Sequence, residues 1–325
     1  MKKNICKRPF LFFASITKKI VNIYAKPVVV LLYHRVTSLK IDTHQLAVTP
    51  ENFRDQMNFV KNHYKVLRFE DDWSSTTEPS VVVTFDDGYA DNYYEALPII
   101  EDVGIPATFF VSSRLIETQQ EFWWDAVDYI LLGNWEFPDK FRLIDETYGH
   151  IWNTKTECDR MIFHKEIIPL MINIDVIRRN QWLKQLRDWI KLKEVVRNTH
   201  RPMTVMELCQ FATSKFVTIG VHTHNHVCLS AISQSRQEEE IITSKRQLEG
   251  WLNNAINIFS YPYGGKNHYN EHSVNICKEL GFLKAAANFP GQAHRWTDRY
   301  KIPRNIVRNW DIGEFSKKIK SFWYI

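Results

Sequence analysis

The sequence has few cysteines and no CxxC pair. Its five cysteines are scattered along 325 residues, and an odd number leaves at least one thiol unpaired within a single chain. Scattered cysteines without close pairs favour reduced, mostly buried thiols over a disulfide framework, as expected of a cytoplasmic protein. The five are Cys6, Cys158, Cys209, Cys228 and Cys277.

Long apolar runs are also missing. The N-terminal segment, residues 1–27, has one short apolar run at 9–16, and Lys18 and Lys19 interrupt the apolar sequence just after it. This run is too short to span a bilayer, and it has neither the length nor the cleavage site of a clear signal peptide. We therefore predict a cytoplasmic protein. The segment either contacts an anionic membrane surface or packs as a helix on the protein's own body.

Arginine and lysine form no basic run, although the formal net charge is +5. A mild positive excess is common in enzymes, and no nucleic-acid motif accompanies it, so we predict no nucleic-acid partner.

The residues that are present indicate a globular α/β protein. Hydrophobic residues make up 44% of the chain, which is enough for a packed core. Short β-rich apolar runs alternate with amphipathic helical patterns, and this alternation predicts a parallel open sheet or barrel. The predicted strands are 28–33, 81–85, 107–111, 216–221, 256–261 and 282–287.

One stretch, at about 113–202, interrupts this alternation. It contains helical patterns at 122–132 and 176–196, and a Thr204–Glu207 capping-box pattern follows it. We predict a single domain at 28–325 that carries a mostly helical insertion. The aromatic residues at 122–124 are expected to pack in a core more often than to stack on a ligand.

Two adjacent carboxylates follow the second predicted strand. Asp86 and Asp87 occur in the motif TFDDGY, where burial and mutual repulsion would penalise ionising both. An N-cap followed by a turn would explain the pair. A bound cation would also explain it, because one carboxylate could bind the metal while the other acts as a base.

Three histidines follow a later strand, in the motif HTHNH. In an extended segment His222, His224 and His226 would share a face, whereas in a turn His222 and His226 would converge without His224. Two imidazoles and one carboxylate form a common ligand set for catalytic zinc. A solvated polar turn is the alternative. The presence of both clusters in one chain favours metal chemistry.

The two motifs resemble the signature motifs of the polysaccharide deacetylase family, also known as carbohydrate esterase family four or the NodB-homology domain. The family patterns are TFDDG and H-[ST]-x-x-H. The resemblance implies a distorted (β/α)7 barrel, with Asp86 as catalytic base and Asp87, His222 and His226 as metal ligands. Thr223 would support the loop, and His224 falls on a variable position.

A third motif, residues 259–265, is similar to the family's R-x-P-Y pattern. Ser260 stands where the family has a base-orienting arginine, and Arg304 is our expected substitute. By resemblance, Tyr263 would donate its backbone N–H to an oxyanion, and Tyr263 and Gly264 would contact the substrate.

The family's late leucine–histidine motif, which supplies the general acid, is missing. The pattern YHRV near the N-terminus resembles a subgroup that includes poly-N-acetylglucosamine deacetylases, and it implies that His34 is the general acid. His44 is expected to be a loop residue, either near the substrate groove or exposed.

These inferences together predict a metal-dependent hydrolase that removes N-acetyl or other N-acyl groups from an amino sugar, oligosaccharide or polysaccharide. One divalent ion is expected, with zinc as the default and cobalt, nickel or manganese as alternatives. Two other functions stay open: deacylation of a small or lipid-linked sugar in surface-polysaccharide synthesis, and a carbohydrate-binding pseudoenzyme.

Overall fold

A curled parallel sheet forms the centre of the fold in the computed structural model, which describes residues 22, 26–146 and 149–323. The described strands are β1 (Val28–Tyr33), β2 (Arg35–Val36), β3 (Ala47–Val48), β4 (Lys65–Leu67), β5 (Ser80–Phe85), β6 (Ala107–Val111), β7 (Lys140–Arg142), β8 (Ile151–Asn153), β9 (Val217–Val221), β10 (Ile258–Ser260), β11 (Lys284–Ala286) and β12 (Asn305–Ile306). Seven of them pair in the order β11-β10-β9-β6-β5-β1-β12, and β4 adds to β5.

The sheet curls back on itself through the segment at 299–302. Backbone hydrogen bonds join this segment to β11: Ala285 N–H donates to Arg299 O, and Ala287 N–H donates to Ile302 O. The chain then enters β12, which pairs in parallel with β1 at the other end of the strand order. The predicted α/β fold of the distorted-barrel type is confirmed.

Helices cover the outside of the sheet. The described α-helices are α1 (Pro50–His63), α2 (Leu97–Val103), α3 (Ser113–Thr118), α4 (Trp123–Leu132), α5 (Glu157–Ile172), α6 (Val176–Trp189), α7 (Val205–Phe211), α8 (Gln234–Leu252), α9 (Glu271–Glu279) and α10 (Ile312–Phe322). A π-helical turn, Asn92–Ala96, precedes α2.

Alternate residues of the central strands face two apolar cores. In β1, Val29 and Leu31 join the core beneath the helices, whereas Val28 and Val30 join a smaller core that also contains Phe110. Successive strand side chains point to opposite faces, so a strand that is apolar throughout fits a sheet covered on both sides. This arrangement explains the unbroken run VVVLLY.

The helix boundaries follow the capping signals in the sequence. The Thr49 side chain accepts a hydrogen bond from Asn52 N–H at the start of α1, and Pro50 occupies the first turn. Thr204 and Glu207 form the predicted reciprocal capping box of α7. Gly104 ends α2 at a φ of 77°, a left-handed conformation that favours glycine.

Residues 113–202 contain α3 to α6 together with the antiparallel pair of β7 and β8. An apolar cluster of their own joins α4, α5 and α6. The predicted helix at 176–196 is wrong in its last third, because α6 ends at Trp189 and Lys191 adopts a φ of 54°. We missed β7 and β8 because three-residue strands leave too few positions to show a period of two.

The predicted surface contact of residues 1–27 falls almost entirely outside the described residues, and nothing in the described part supports it. Within that part, no helix combines the length and apolarity needed to cross a membrane. Four cysteines lie there, and none forms a disulfide: Cys158, Cys209, Cys228 and Cys277.

Candidate functional site

A cavity of about 290 Å³ lies at the carboxyl ends of the central strands. Asp86 and Asp87 directly follow β5, and His222 directly follows β9. Parallel strands bring such residues to one edge of the sheet. Six of the eight predicted site residues line this cavity: His34, Asp86, Asp87, His222, His226 and Tyr263. His44, expected either near the groove or exposed, lines it as well.

The turn after β9 decides which histidines converge. Thr223 has a φ of 62° and His226 a φ of 51°, so the chain reverses and places the rings of His222 and His226 4.9 Å apart. The ring of His224 points elsewhere, with Nδ1 2.9 Å from Ser113 Oγ. Of the two arrangements left open by the sequence, the turn is the one that forms.

Backbone strain is concentrated around this cavity. Asp87 and Tyr263 also have positive φ angles, 83° and 60°. Residues other than glycine adopt this conformation at a cost, and such strain persists where the surrounding structure holds a functional geometry.

Asp87, His222 and His226 bring one carboxylate and two imidazoles together. Asp87 Oδ1 lies 3.2 Å from His226 Nε2 and 3.7 Å from His222 Nε2, and all three side chains are buried. His222 Nδ1 lies 2.8 Å from the Ser260 carbonyl oxygen, so this nitrogen carries the proton and Nε2 keeps its lone pair.

Burial governs the charges of these three groups. It lowers the pKa of His222 to about 4 and that of His226 to about 3, so both imidazoles are neutral near pH 7. Burial also raises the pKa of Asp87, which penalises an unpaired carboxylate there. Two neutral imidazoles and a carboxylate in need of positive charge form a donor set that fits a divalent cation.

Asp86 has a different environment, because Arg304 pairs with it. Burial alone would raise the pKa of Asp86, but the Arg304 guanidinium and His222 outweigh this effect and hold the pKa at about 2. Arg304 Nη1 lies 2.7 Å from Oδ1, and Nη2 lies 2.6 Å from Oδ2. Arg304 is itself fully buried and donates its Nε–H to the Ala287 carbonyl.

Ser260 supplies the space that Arg304 occupies. The Ser260 hydroxyl accepts a hydrogen bond of 2.8 Å from Arg304 Nη2 and lies 3.3 Å from Asp86 Oδ2. A larger side chain at position 260 would collide with the guanidinium. The sequence indicated Arg304 as the substitute for the missing arginine, but it gave no sign that Ser260 contacts it.

His34 lies at the end of β1 and faces both aspartates. Burial lowers its pKa, while Asp87 and Asp86 act in the opposite direction. Its backbone carbonyl accepts a hydrogen bond from the Asn92 side chain, which fixes the loop that carries it. The structure thus places an imidazole beside both carboxylates.

Tyr263 stands over His226, with ring centroids 4.7 Å apart. Its hydroxyl accepts a hydrogen bond of 3.1 Å from Trp123 Nε1. Gly264 is not among the described residues that line the cavity, because it packs against the Asn288 backbone, where an added Cβ would lie 2.6 Å from the nitrogen. Its φ of 60° and this close approach explain the glycine.

The insertion supplies one wall of the cavity. The predicted packing of the aromatic run is confirmed, since Phe122, Trp123 and Trp124 are buried, yet both tryptophans also line the cavity. Ile168 and Ile172 of α5 complete this wall. We missed these isoleucines because their spacing is that of any buried helix face.

Known proteins resemble this chain in sequence and in fold. The polysaccharide deacetylase family model matches residues 74–151 and 199–285, just over half of the chain. YxkH of Bacillus subtilis (strain 168), whose own assignment as a polysaccharide deacetylase is provisional, is 21% identical over 282 residues. That match covers 85% of this chain and 69% of YxkH.

Two solved structures share the fold. The Streptococcus pyogenes deacetylase PplD, in complex with acetate, matches with a TM-score of 0.58 and 16% identity, over 90% of this chain and 98% of PplD. A de-N-acetylase from Aggregatibacter actinomycetemcomitans matches with a TM-score of 0.56 and 18% identity, over 91% of this chain and 99% of that one. On the family model's match, the chain belongs to the polysaccharide deacetylase family.

Proposed function

We propose that the protein is a divalent-metal-dependent amide hydrolase that removes an N-acetyl or other N-acyl group from an amino sugar. One observation carries this proposal: Asp86 is held ionised by Arg304 directly beside the donor set of Asp87, His222 and His226. An ionised base next to a cation-binding triad is the combination that hydrolysis of an amide requires.

Asp87, His222 and His226 would hold the cation. When bound, a zinc-type ion lowers the pKa of a coordinated water and polarises a carbonyl oxygen. Zinc suits this ligand set best, and cobalt, nickel or manganese are the alternatives.

Three other residues would activate the water, stabilise the developing oxyanion and protonate the leaving nitrogen. Asp86, fixed by Arg304, would take a proton from the attacking water. The backbone N–H of Tyr263 would donate to the carbonyl oxygen as negative charge develops on it. His34 would give a proton to the departing nitrogen, which leaves as an amine instead of an unstable amide anion.

The choice of an N-acyl sugar follows from the family, and one solved neighbour is itself described as a de-N-acetylase. The position of His34 beside Asp86 and Asp87 supports the YHRV subgroup, in which the first strand supplies the general acid.

A small or lipid-linked sugar is our second candidate substrate. The wall formed by Trp123, Trp124, Ile168 and Ile172 encloses one side of the cavity, and such a wall favours a chain end or a single sugar over the middle of a polymer. A cytoplasmic location, which we also propose, would suit a biosynthetic precursor.

A carbohydrate-binding pseudoenzyme on the same scaffold is the third candidate. The missing arginine at position 260 and the missing late histidine favour it. Arg304 brings a guanidinium to Asp86 and His34 brings an imidazole to the cavity, so we favour catalysis.

Acetate release from a substrate panel tests the proposal. The panel contains N-acetylglucosamine oligomers and nucleotide- and lipid-linked N-acetyl sugars, each incubated with the zinc-loaded protein. We expect acetate from at least one class, and its identity separates polymer from precursor. If metal is bound and no substrate releases acetate, the pseudoenzyme is the better account.

A further inference from the structure

A second group of two histidines and one aspartate lies beside the same cavity, and one of its members, His44, lines it. His44 comes from the loop between β2 and β3, Asp128 from α4 and His164 from α5. One nitrogen or oxygen atom of each residue lies within 4.8 Å of the others. None of the three has a part in the proposed hydrolysis.

The two imidazoles converge on one carboxylate oxygen. Asp128 Oδ1 lies 2.5 Å from His164 Nε2 and 3.7 Å from His44 Nε2. The other oxygen, Oδ2, accepts a hydrogen bond of 2.6 Å from the Thr43 hydroxyl, which fixes the carboxylate. Both Asp128 and His164 are buried.

His44 has an unsatisfied atom at this point. Its Nε2 is buried and has no hydrogen-bond partner, although the atom faces Asp128. Leaving a buried polar atom unpaired is unfavourable, and a ligand at this point would give the atom a partner.

The spacing resembles that of the first triad. There the two nitrogen-to-oxygen distances are 3.2 Å and 3.7 Å, and the same 4.8 Å limit contains all three donor atoms. Two histidines and one carboxylate therefore occur together twice among the described residues, at similar separations.

We propose that His44, Asp128 and His164 form a second divalent-cation site. Two imidazole donors and one carboxylate select zinc and neighbouring transition metals over calcium and magnesium, which prefer oxygen ligands. The cation takes the place of the proton between His164 and Asp128 and gives His44 Nε2 its partner. It also joins the β2–β3 loop to two helices of the insertion.

Metal counting on the full chain tests this site. The protein is stripped with a chelator, loaded with zinc and desalted, and zinc per chain is measured by elemental analysis. We expect about two ions in the wild type and about one in His44→Gln or Asp128→Asn. His222→Gln, which changes the first triad, also leaves about one ion, and the His44→Gln/His222→Gln double variant leaves none.

His150→Gln is the matched control for the zinc count. His150 lies in the insertion, as Asp128 and His164 do, but it is exposed. We expect this variant to bind as much zinc as the wild type. The His44 side chain is 26% exposed, so its replacement disturbs the core less than a change at buried His164.

A thermal readout gives an independent check. Zinc added to His222→Gln raises its Tm, since a ligand that binds only the folded state stabilises it, and the double variant shows no such rise.

The proposal is overturned if the wild type binds one ion that His222→Gln loses and His44→Gln keeps. If the wild type binds one ion that His44→Gln loses and His222→Gln keeps, the second site is supported and the proposed function lacks its metal site.

Discussion

Arg304 holds the Asp86 carboxylate with two parallel hydrogen bonds, although the two residues lie next to strands that β1 separates. Asp86 follows β5 and Arg304 precedes β12 in the order β5-β1-β12. A buried, two-point arginine–carboxylate pair fixes both the charge and the orientation of the acid. Arg304 therefore orients Asp86, which is the role that the family's arginine would have at position 260.

Replacing Arg304 by methionine should remove this support. We expect kcat/KM to fall by about 10²–10⁴-fold, the usual range for loss of a positioned base, while the zinc content stays unchanged. The pKa of Asp86 would rise, so activity should also shift to higher pH. Steady-state kinetics across pH and elemental analysis measure both effects.

The conservative variant Arg304→Lys separates charge from geometry. Lysine keeps the positive charge but cannot form the two-point contact, so we expect a rate between those of the wild type and Arg304→Met. Equal activity of Arg304→Lys and the wild type would mean that charge alone is required. A Ser260→Arg/Arg304→Ser exchange should recover part of the lost rate, since it returns a guanidinium to the same space from β10.

Replacing His34 by glutamine should slow the departure of the amine. We expect kcat to fall by about 10²–10⁴-fold with zinc content unchanged. The loss should be smaller for a substrate whose leaving nitrogen is weakly basic, such as an N-acetylated aniline, because this group needs less protonation. An equal loss on both substrates would exclude His34 as the general acid.

Much of the fold was predictable because its signals are local. Apolar strand runs, the Thr49 and Thr204 caps and the glycine after α2 each report on a few adjacent residues. The end of α6 was not predictable, since its helical pattern continues past Trp189 while the chain leaves the helix at Ile190 and Lys191.

The site was predictable to the extent that it depends on strand ends. The acids of the TFDDGY motif and the whole HTHNH motif each follow a strand, and this placed Asp86, Asp87 and His222 at one edge of the sheet. The roles of Ile168 and Ile172 depend on how the insertion packs over that edge, a long-range contact that no local pattern encodes.

Asp125 should make stability depend on pH. Burial raises its pKa to about 7, above the ordinary value of 3.8, despite the nearby Arg35. The folded state thus binds a proton more tightly between these values, and stability falls as pH rises through them. Between pH 5 and pH 7 the Tm of Asp125→Asn, measured by circular dichroism, should fall less than that of the wild type.

Exposed Asp102, on α2, offers the matched control for this measurement. Asp102→Asn should keep the wild-type dependence of Tm on pH. A wild-type dependence in Asp125→Asn as well would show that other groups cause it.

Shortening the α5 wall should change the preferred substrate length. Ile168→Ala and Ile172→Ala enlarge the cavity, so we expect kcat/KM for long oligomers to rise relative to that for a single N-acetyl sugar. Ile162→Ala is the control, because Ile162 lies on the same helix but is 51% exposed. If the ratio of kcat/KM for long oligomers to that for a single sugar is unchanged in all three variants, the wall does not determine the preferred substrate length.

The central claim is that Asp86 acts as the base and its neighbour Asp87 as a metal ligand. Measuring zinc affinity and acetate release on the same variants tests it most directly. The zinc Kd of the first site is determined in a His44→Gln background by competition with a chromogenic chelator. Asp86→Asn should keep the parent's affinity for zinc and release no acetate, whereas Asp87→Asn should weaken zinc binding by at least about tenfold. Equal zinc affinities in both variants, or acetate release by Asp86→Asn at the parent's rate, would contradict the account.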